Sequence, residues 1–196
     1  MIDPTSIALG MVGKYNQRME NEQRELQSAF SYVQNLKPEF ENGKLTLHID
    51  RKTTFVTMEN YLKKRFAITE GGITASLSYH EEPIENMDYD AVFRLPERNI
   101  FLKLVPEGMS AIEYANSQME KARLANPSEL WLLTLSKEAL DIPLGPVFLE
   151  SKILRGRIRT LELADVFSEV VGKRYEVSLI KDGNAGFKLF ASKKKV

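Results

Sequence analysis

The chain has 196 residues, 43% of them hydrophobic and 28% charged, with acidic and basic side chains in equal number and no cysteine. That size and balance fit a globular α/β protein and exclude a disordered chain, a disulfide scaffold, a thiolate metal site and a cysteine nucleophile. Two histidines, His48 and His80, are too few for a multi-histidine zinc site.

No run approaches the roughly 20 apolar residues of a membrane-spanning helix. The opening segment MIDPTSIALGMVGKYNQ has no basic flank and no cleavage site. It does not read as a secretory signal, and a cytoplasmic protein is expected. The neutral total hides an asymmetry, because residues 151–196 hold eleven Lys or Arg against five Asp or Glu. A basic C-terminal quarter ending in Lys193, Lys194 and Lys195 suits a polyanionic partner or, more plainly, a solvated tail.

Asp3-Pro4 is a helix-start signal, an acceptor followed by the one helical position that welcomes proline. From there a seam at Val12, Tyr15, Met19, Glu22, Leu26, Ala29, Val33 and Leu36 steps by threes and fours until Pro38. A helix of about 30 residues would span about 45 Å. It serves either as a support packed across its own sheet or as a dimerisation arm. Asn42-Gly43 marks a turn, and KLTLHID alternates as a strand. Thr53 or Thr54 can cap the next helix, which covers Phe55, Met58, Tyr61, Leu62 and Phe66.

Gly71-Gly72 separates Phe66–Thr69 from Ile73–Tyr79, as in a hairpin or a bulged strand. DAVFRL (90–95) and NIFLKLV (99–105) form two further strands. A helix over 109–125 directs Ile112, Ala115, Met119 and Ala122 inward, and ELWLLTLS (129–136) is apolar enough for a strand covered on both faces. Residues 143–146, bounded by two prolines, read as a loop before a strand at 147–154. A short helix at 161–171 and a hairpin around Asp182-Gly183 complete the chain. Three segments are expected: a long helix over 1–40, a core over 41–150, and a basic extension of the same domain over 151–196.

The order helix, three strands, helix, strand across 54–136 resembles the PD-(D/E)xK nuclease superfamily, which includes Holliday-junction resolvases and many restriction enzymes. Asp90 opens the second strand of that series, Lys103 lies in Phe101-Leu102-Lys103 on the third, and Gln118 sits on the following helix. The resemblance implies a restriction-endonuclease-like mixed central sheet flanked by helices. It also implies Mg²⁺ or Mn²⁺ as cofactor and DNA as partner. In its terms Asp90, Lys103, Glu59 and Gln118 would be catalytic. Phe101 occupies the position of the second metal-binding acid, so Glu59, Asp88, Glu107 or Glu113 would have to join Asp90 at the metal.

Carboxylates hold such an ion so that it can polarise the phosphate and activate water, and a neighbouring lysine stabilises the developing charge. Without the acid the same fold would bind or assemble without cutting. Arg155, Arg157, Arg159, Lys173 and Arg174 would face the nucleic-acid backbone, and the N-terminal helix would form a homodimer. Against this stand plainer readings: Asp90 as a turn acceptor, Lys103 as a strand lysine reaching solvent, Gln118 as an exposed helix residue, and His80-Glu81-Glu82 as a polar loop.

Overall fold

A computed structural model describes residues 4–31, 38–66, 75–84, 87–96, 98–106, 108–117, 129–135, 141–149, 152–172, 174–183 and 186–195, without the side chains of 141–149 and 152–156. It is a mixed α and β protein with a long N-terminal helix. The elements are α1 (Pro4–Ala29), β1 (Glu39–Glu41), β2 (Lys44–Ile49), α2 (Arg51–Arg65), β3 (Ser76–Tyr79), β4 (Ala91–Arg94) and β5 (Asn99–Leu104). Then come α3, helical through residues 111–117, and β6 (Glu129–Thr134), β7 (Asp141–Leu149), β8 (Lys152–Glu162), α4 (Leu163–Val171), β9 (Tyr175–Asp182) and β10 (Gly186–Lys193).

The chain divides into two compact units: residues 1–49 with 168–196, and residues 50–167. The boundaries therefore fall at Ile49/Asp50 and inside α4, not at 40 and 150 as the sequence suggests. The basic C-terminal strands share a unit with the N-terminal helix.

In the first unit four antiparallel strands run in the order β1-β2-β10-β9. Strand alternation places Leu45, Leu47 and Ile49 of β2 and Phe187, Leu189 and Ala191 of β10 in the core. Asn42 (φ 52°) and Gly43 (φ 76°) supply the left-handed pair that a tight hairpin turn needs between β1 and β2. A β-carbon on Gly43 would also stand 3.5 Å from the Met19 side chain of α1.

Only the C-terminal part of α1 is buried, at Glu22 and Leu26. The seam's earlier members, Val12 and Tyr15, are exposed; Asp3, Val33 and Leu36 lie outside the described residues. The buried part of α1 is held by charge as well as packing. The Tyr175 hydroxyl donates to Glu25 Oε2 at 2.7 Å, and Lys193 Nζ stands 3.8 Å from Glu22 Oε1.

In the second unit six strands run in the order β3-β4-β5-β6-β8-β7. β3, β4 and β5 form an antiparallel meander. β6 is parallel to β5 and to β8, and β7 returns antiparallel at the edge. All six residues of β6 are buried, as the apolar run ELWLLT requires for a strand covered on both sides. Leu130 and Leu132 pack on one face with Ala111, Tyr114, Ala115 and Ile158. On the other face Trp131 lies 6.5 Å from the Phe66 ring.

Several boundaries differ from the sequence expectation, each for a local reason. Asp50, not Thr53 or Thr54, caps α2: its carboxylate accepts from Thr53 N at 2.7 Å. The Thr54 hydroxyl donates back to the Asp50 carbonyl instead. Ile112 points to solvent, and Ala111, Tyr114 and Ala115 face the core, a rotation of about one residue (100°) from the expected face. Residues 143–146 belong to strand β7 rather than to a loop. The register with β8 shifts between Pro143 and Pro146, which an edge strand tolerates because proline's missing N–H faces no partner there. The expected strand at 147–154 is two strands of a hairpin, and α4 begins at Leu163. The Gly71-Gly72 turn, Met119 and Ala122 lie outside the described residues.

The Tyr175–Glu25 bond makes stability depend on pH. Burial first, and then the Glu25 carboxylate, push the Tyr175 phenol up to about 12. A raised pKa contributes stability in full below the unfolded value, about 10, and loses it as pH rises through the folded one. Unfolding followed from pH 9 to 12 is therefore expected to show a falling midpoint that flattens in Tyr175→Phe; an unchanged slope in that variant would exclude this bond as the cause.

Candidate functional site

Strand pairing brings Asp90 and Lys103 together. Ala91 is opposite Leu102 across β4 and β5, so Asp90 meets Lys103 one step further along. The Asp90 amide donates to the Leu102 carbonyl at 2.7 Å, and the Lys103 ammonium stands 3.9 Å from Asp90 Oδ1.

Both oxygens of Asp90 are engaged. Arg51, in the first turn of α2, donates through Nη2 to Asp90 Oδ1 at 3.1 Å. The Leu104 amide donates to Oδ2 at 2.8 Å. Arg51 also donates through Nε to the His80 carbonyl at 2.6 Å, and the Asp90 carbonyl accepts from the His80 amide at 3.0 Å. Asp90 is 6% exposed and Arg51 likewise 6%. A carboxylate this buried is stable as an anion only beside a matching cation. Lys103 has its own tie, donating to the Met87 carbonyl at 3.0 Å.

The face above is filled by rings. Phe101, two residues before Lys103 and on the same side of β5, meets Tyr89 edge-on at 4.9 Å. Tyr89 lies 5.7 Å from His80. From α3 the Tyr114 hydroxyl donates to the Asp88 carbonyl at 3.3 Å. Burial first, and then the Asp88 and Asp90 charges, hold that phenol well above its ordinary pKa, so it stays a neutral donor.

Of the other acids expected at a metal, Glu59 and Glu113 are used elsewhere, whereas Asp88 stays near enough that its charge and that of Asp90 both act on Tyr114. Glu59 pairs with Lys63 one turn along α2 at 3.0 Å. Glu113 closes a capping box at the start of α3: its carboxylate accepts from the Ser110 amide at 2.8 Å. The Ser110 hydroxyl accepts from the Glu113 amide at 3.2 Å in return. Glu107 and Gln118 lie outside the described residues. Among the described residues no group of three or more metal-binding side chains converges. The residues around Asp90 disfavour a divalent ion, because the buried Arg51 guanidinium already neutralises the carboxylate, the Leu104 amide holds its other oxygen, and Phe101 occupies the adjoining face.

The basic residues fall into two places. Arg157 and Arg159 lie on β8 opposite Glu129 and Trp131 of β6 and are partly buried. The side chain of Arg155 and all of Lys173 lie outside the described residues. Arg174 is in the first unit, where it, Lys193 and the α1 residues Lys14 and Arg18 border a groove of about 310 Å³. Lys14 and Arg18 carry no motif, but their four-residue spacing, continued by Asn21 and Glu25, is the pattern that places side chains along one side of a helix. Arg51 gave no comparable signal, because an arginine beginning a helix ordinarily reads as solvated.

No protein-family model matches the chain, and neither the curated proteins nor the solved structures contain a match to it. No helix among the described residues is long and apolar enough to cross a membrane.

Removing one partner of a buried ion pair strands the other, which costs about 3–5 kcal/mol. Asp90→Ala is expected to lower unfolding stability by that amount in urea titration, and Arg51→Met with Asp90→Leu to recover most of it. An Asp90→Ala protein as stable as the parent would show that the carboxylate is not a structural tie.

Proposed function

We propose that this chain is a nuclease-like protein that grips the nucleic-acid backbone without cutting it and pairs as a homodimer through α1. The observation that carries the non-cutting part is the occupation of both Asp90 oxygens by Arg51 and the Leu104 amide. A nuclease carboxylate serves a metal ion, whereas this one is neutralised by a buried arginine and holds α2, β4 and β5 together.

The kinship with nucleases is supported by connectivity. Helix α2 is followed by the meander β3-β4-β5, then by α3 and a strand, β6, parallel to β5. That is the order in which the resemblance reads. Binding to DNA is supported by the basic surplus of residues 151–196 and by the exposed Arg174 and Lys193 side chains. Phosphate contact releases counterions, so affinity should fall steeply with salt.

The purified chain mixed with labelled duplex, branched and single-stranded DNA is expected to retard DNA with a Kd that weakens as salt rises. It should leave every substrate intact with Mg²⁺ or Mn²⁺ present. Metal-dependent cleavage that disappears in Asp90→Asn would refute the non-cutting reading, and no retardation at low salt would refute the nucleic-acid reading.

Pairing through α1 is supported by the continuity of its apolar seam. Leu26 is buried within the unit, while Val12 and Tyr15, earlier members of the same seam, are exposed by 56% and 59%. Helices with such a stripe gain by packing it against a partner. Sedimentation or light scattering should give a dimer at micromolar concentration, and Val12→Glu with Tyr15→Glu should return it to monomer. A parent protein that stays monomeric would remove the dimer from the proposal.

A further inference from the structure

The groove in the first unit has an arrangement that surface charge alone does not explain. It sets four cations around two carboxylates, of which Glu22 is enclosed and Glu25 half exposed. Glu22 is the most enclosed of the charged groups there, its side chain only 11% exposed, and it receives Arg18 Nε at 3.2 Å and Lys193 Nζ at 3.8 Å. Glu25 receives the Tyr175 hydroxyl at 2.7 Å and Arg174 Nη1 at 3.9 Å. Tyr175 first, then Arg174 and Lys193, hold the Glu25 carboxyl below the usual range, so it stays ionised.

Both arginines are held through one nitrogen only. Arg18 reaches Glu22 through Nε, and its side chain is 69% exposed; that of Arg174 is 73% exposed. Lys14, one turn before Arg18, has no carboxylate partner among the described residues. Two amides, Gln17 and Asn21, complete the α1 wall. Four cations over two carboxylates leave the groove with a surplus of two positive charges.

A ligand with repeated negative charge fits this arrangement better than a single small anion. Lys14 and Arg18 are separated by about 6 Å of helix rise, and Arg174 and Lys193 come from the far wall, so a strand lying in the groove meets cations on both sides. Guanidinium forks suit phosphate oxygens, and a lysine adds a point charge. Beyond the rim the chain continues into Lys194 and Lys195, both exposed, which extends the positive track in one direction.

We propose that this groove, between α1 and the adjoining ends of β9 and β10, is the seat of one nucleic-acid strand, with Lys14, Arg18, Arg174 and Lys193 contacting successive backbone phosphates. This deepens the proposed nucleic-acid function and rests on it. It moves the interface from the arginines of β8 to side chains of α1 and the C-terminal strands. The carboxylates are positioning groups: Glu22 ties Arg18 to Lys193, and Glu25 ties Arg174 to α1.

The test measures DNA affinity and its salt dependence for the full chain and for Lys14→Gln, Arg174→Gln and the double variant, with Lys52→Gln on α2 and Arg157→Gln on β8 as comparisons. Thermal unfolding of each variant confirms folding; Lys14→Gln breaks no ion pair among the described residues and serves where Arg174→Gln disturbs Glu25. The double variant should weaken binding at least tenfold and flatten the plot of log K against log salt by about 2, one unit for each phosphate that no longer meets a cation. Lys52→Gln should leave both quantities unchanged, and Arg157→Gln should weaken binding less than either groove variant. If the parent binds DNA and the groove variants match it, or if Arg157→Gln is the variant that binds weakly, the groove assignment falls while the nucleic-acid reading stands. If the parent does not bind DNA, both fall. Poly-glutamate displacing the DNA at equal charge concentration would overturn the assignment in favour of an acidic polypeptide.

Discussion

The second unit turns on one buried ion pair. Arg51 sits in the first turn of α2, where a positive charge meets the unfavourable end of the helix dipole. There it is also removed from water at a cost that only a well-placed anion offsets. Asp90 is that anion, and through it the start of α2, the start of β4, the end of β5 and the His80 carbonyl become one connected set. Breaking such a pair costs far more than forming it contributes over an apolar substitute, so it acts as a constraint on which packing is permitted. The same constraint sets what the site can do, because an ion would have to compete with Arg51 and the Leu104 amide for an acid that already braces three elements.

Much of this unit can be read from residues alone, and the limits are physical. β6 is legible because a strand buried on both faces must be apolar throughout. Asp90 and Lys103 fall on adjoining strands because two short alternating runs joined by a tight turn can hardly pair otherwise. What pairing does not reveal is the third partner. Arg51 lies 39 residues from Asp90, and nothing local distinguishes an arginine aimed at a buried carboxylate from one in water. The cap of α2 shows the same difficulty on a small scale: Asp50, Thr53 and Thr54 are all competent acceptors, and the choice depends on where β2 ends. The prolines of β7 mislead for a related reason, since proline forbids an inner strand but not an edge, and edge position is a property of the whole sheet.

In the first unit the N-terminal helix carries two stripes side by side. One is apolar, beginning at Val12 and reaching the buried Leu26; the other is charged, running from Lys14 through Arg18 to Glu25. A heptad reading finds the first and passes over the second, because charged residues on a helix usually mean only a solvated face. Their meaning changes once β9 and β10 bring Arg174 and Lys193 to the same groove. The strands responsible lie about 150 residues away in the chain, yet they belong to the same compact unit as the helix.

The edges of the larger sheet have a bearing on how copies of the chain can meet. β7 is an outermost strand, and Pro143 and Pro146 leave gaps in its backbone donors while the register slips between them. β3, at the other end, offers only four residues. Neither border is a good template for another strand, so the sheet resists the edge-to-edge growth that leads exposed β structure into fibrils.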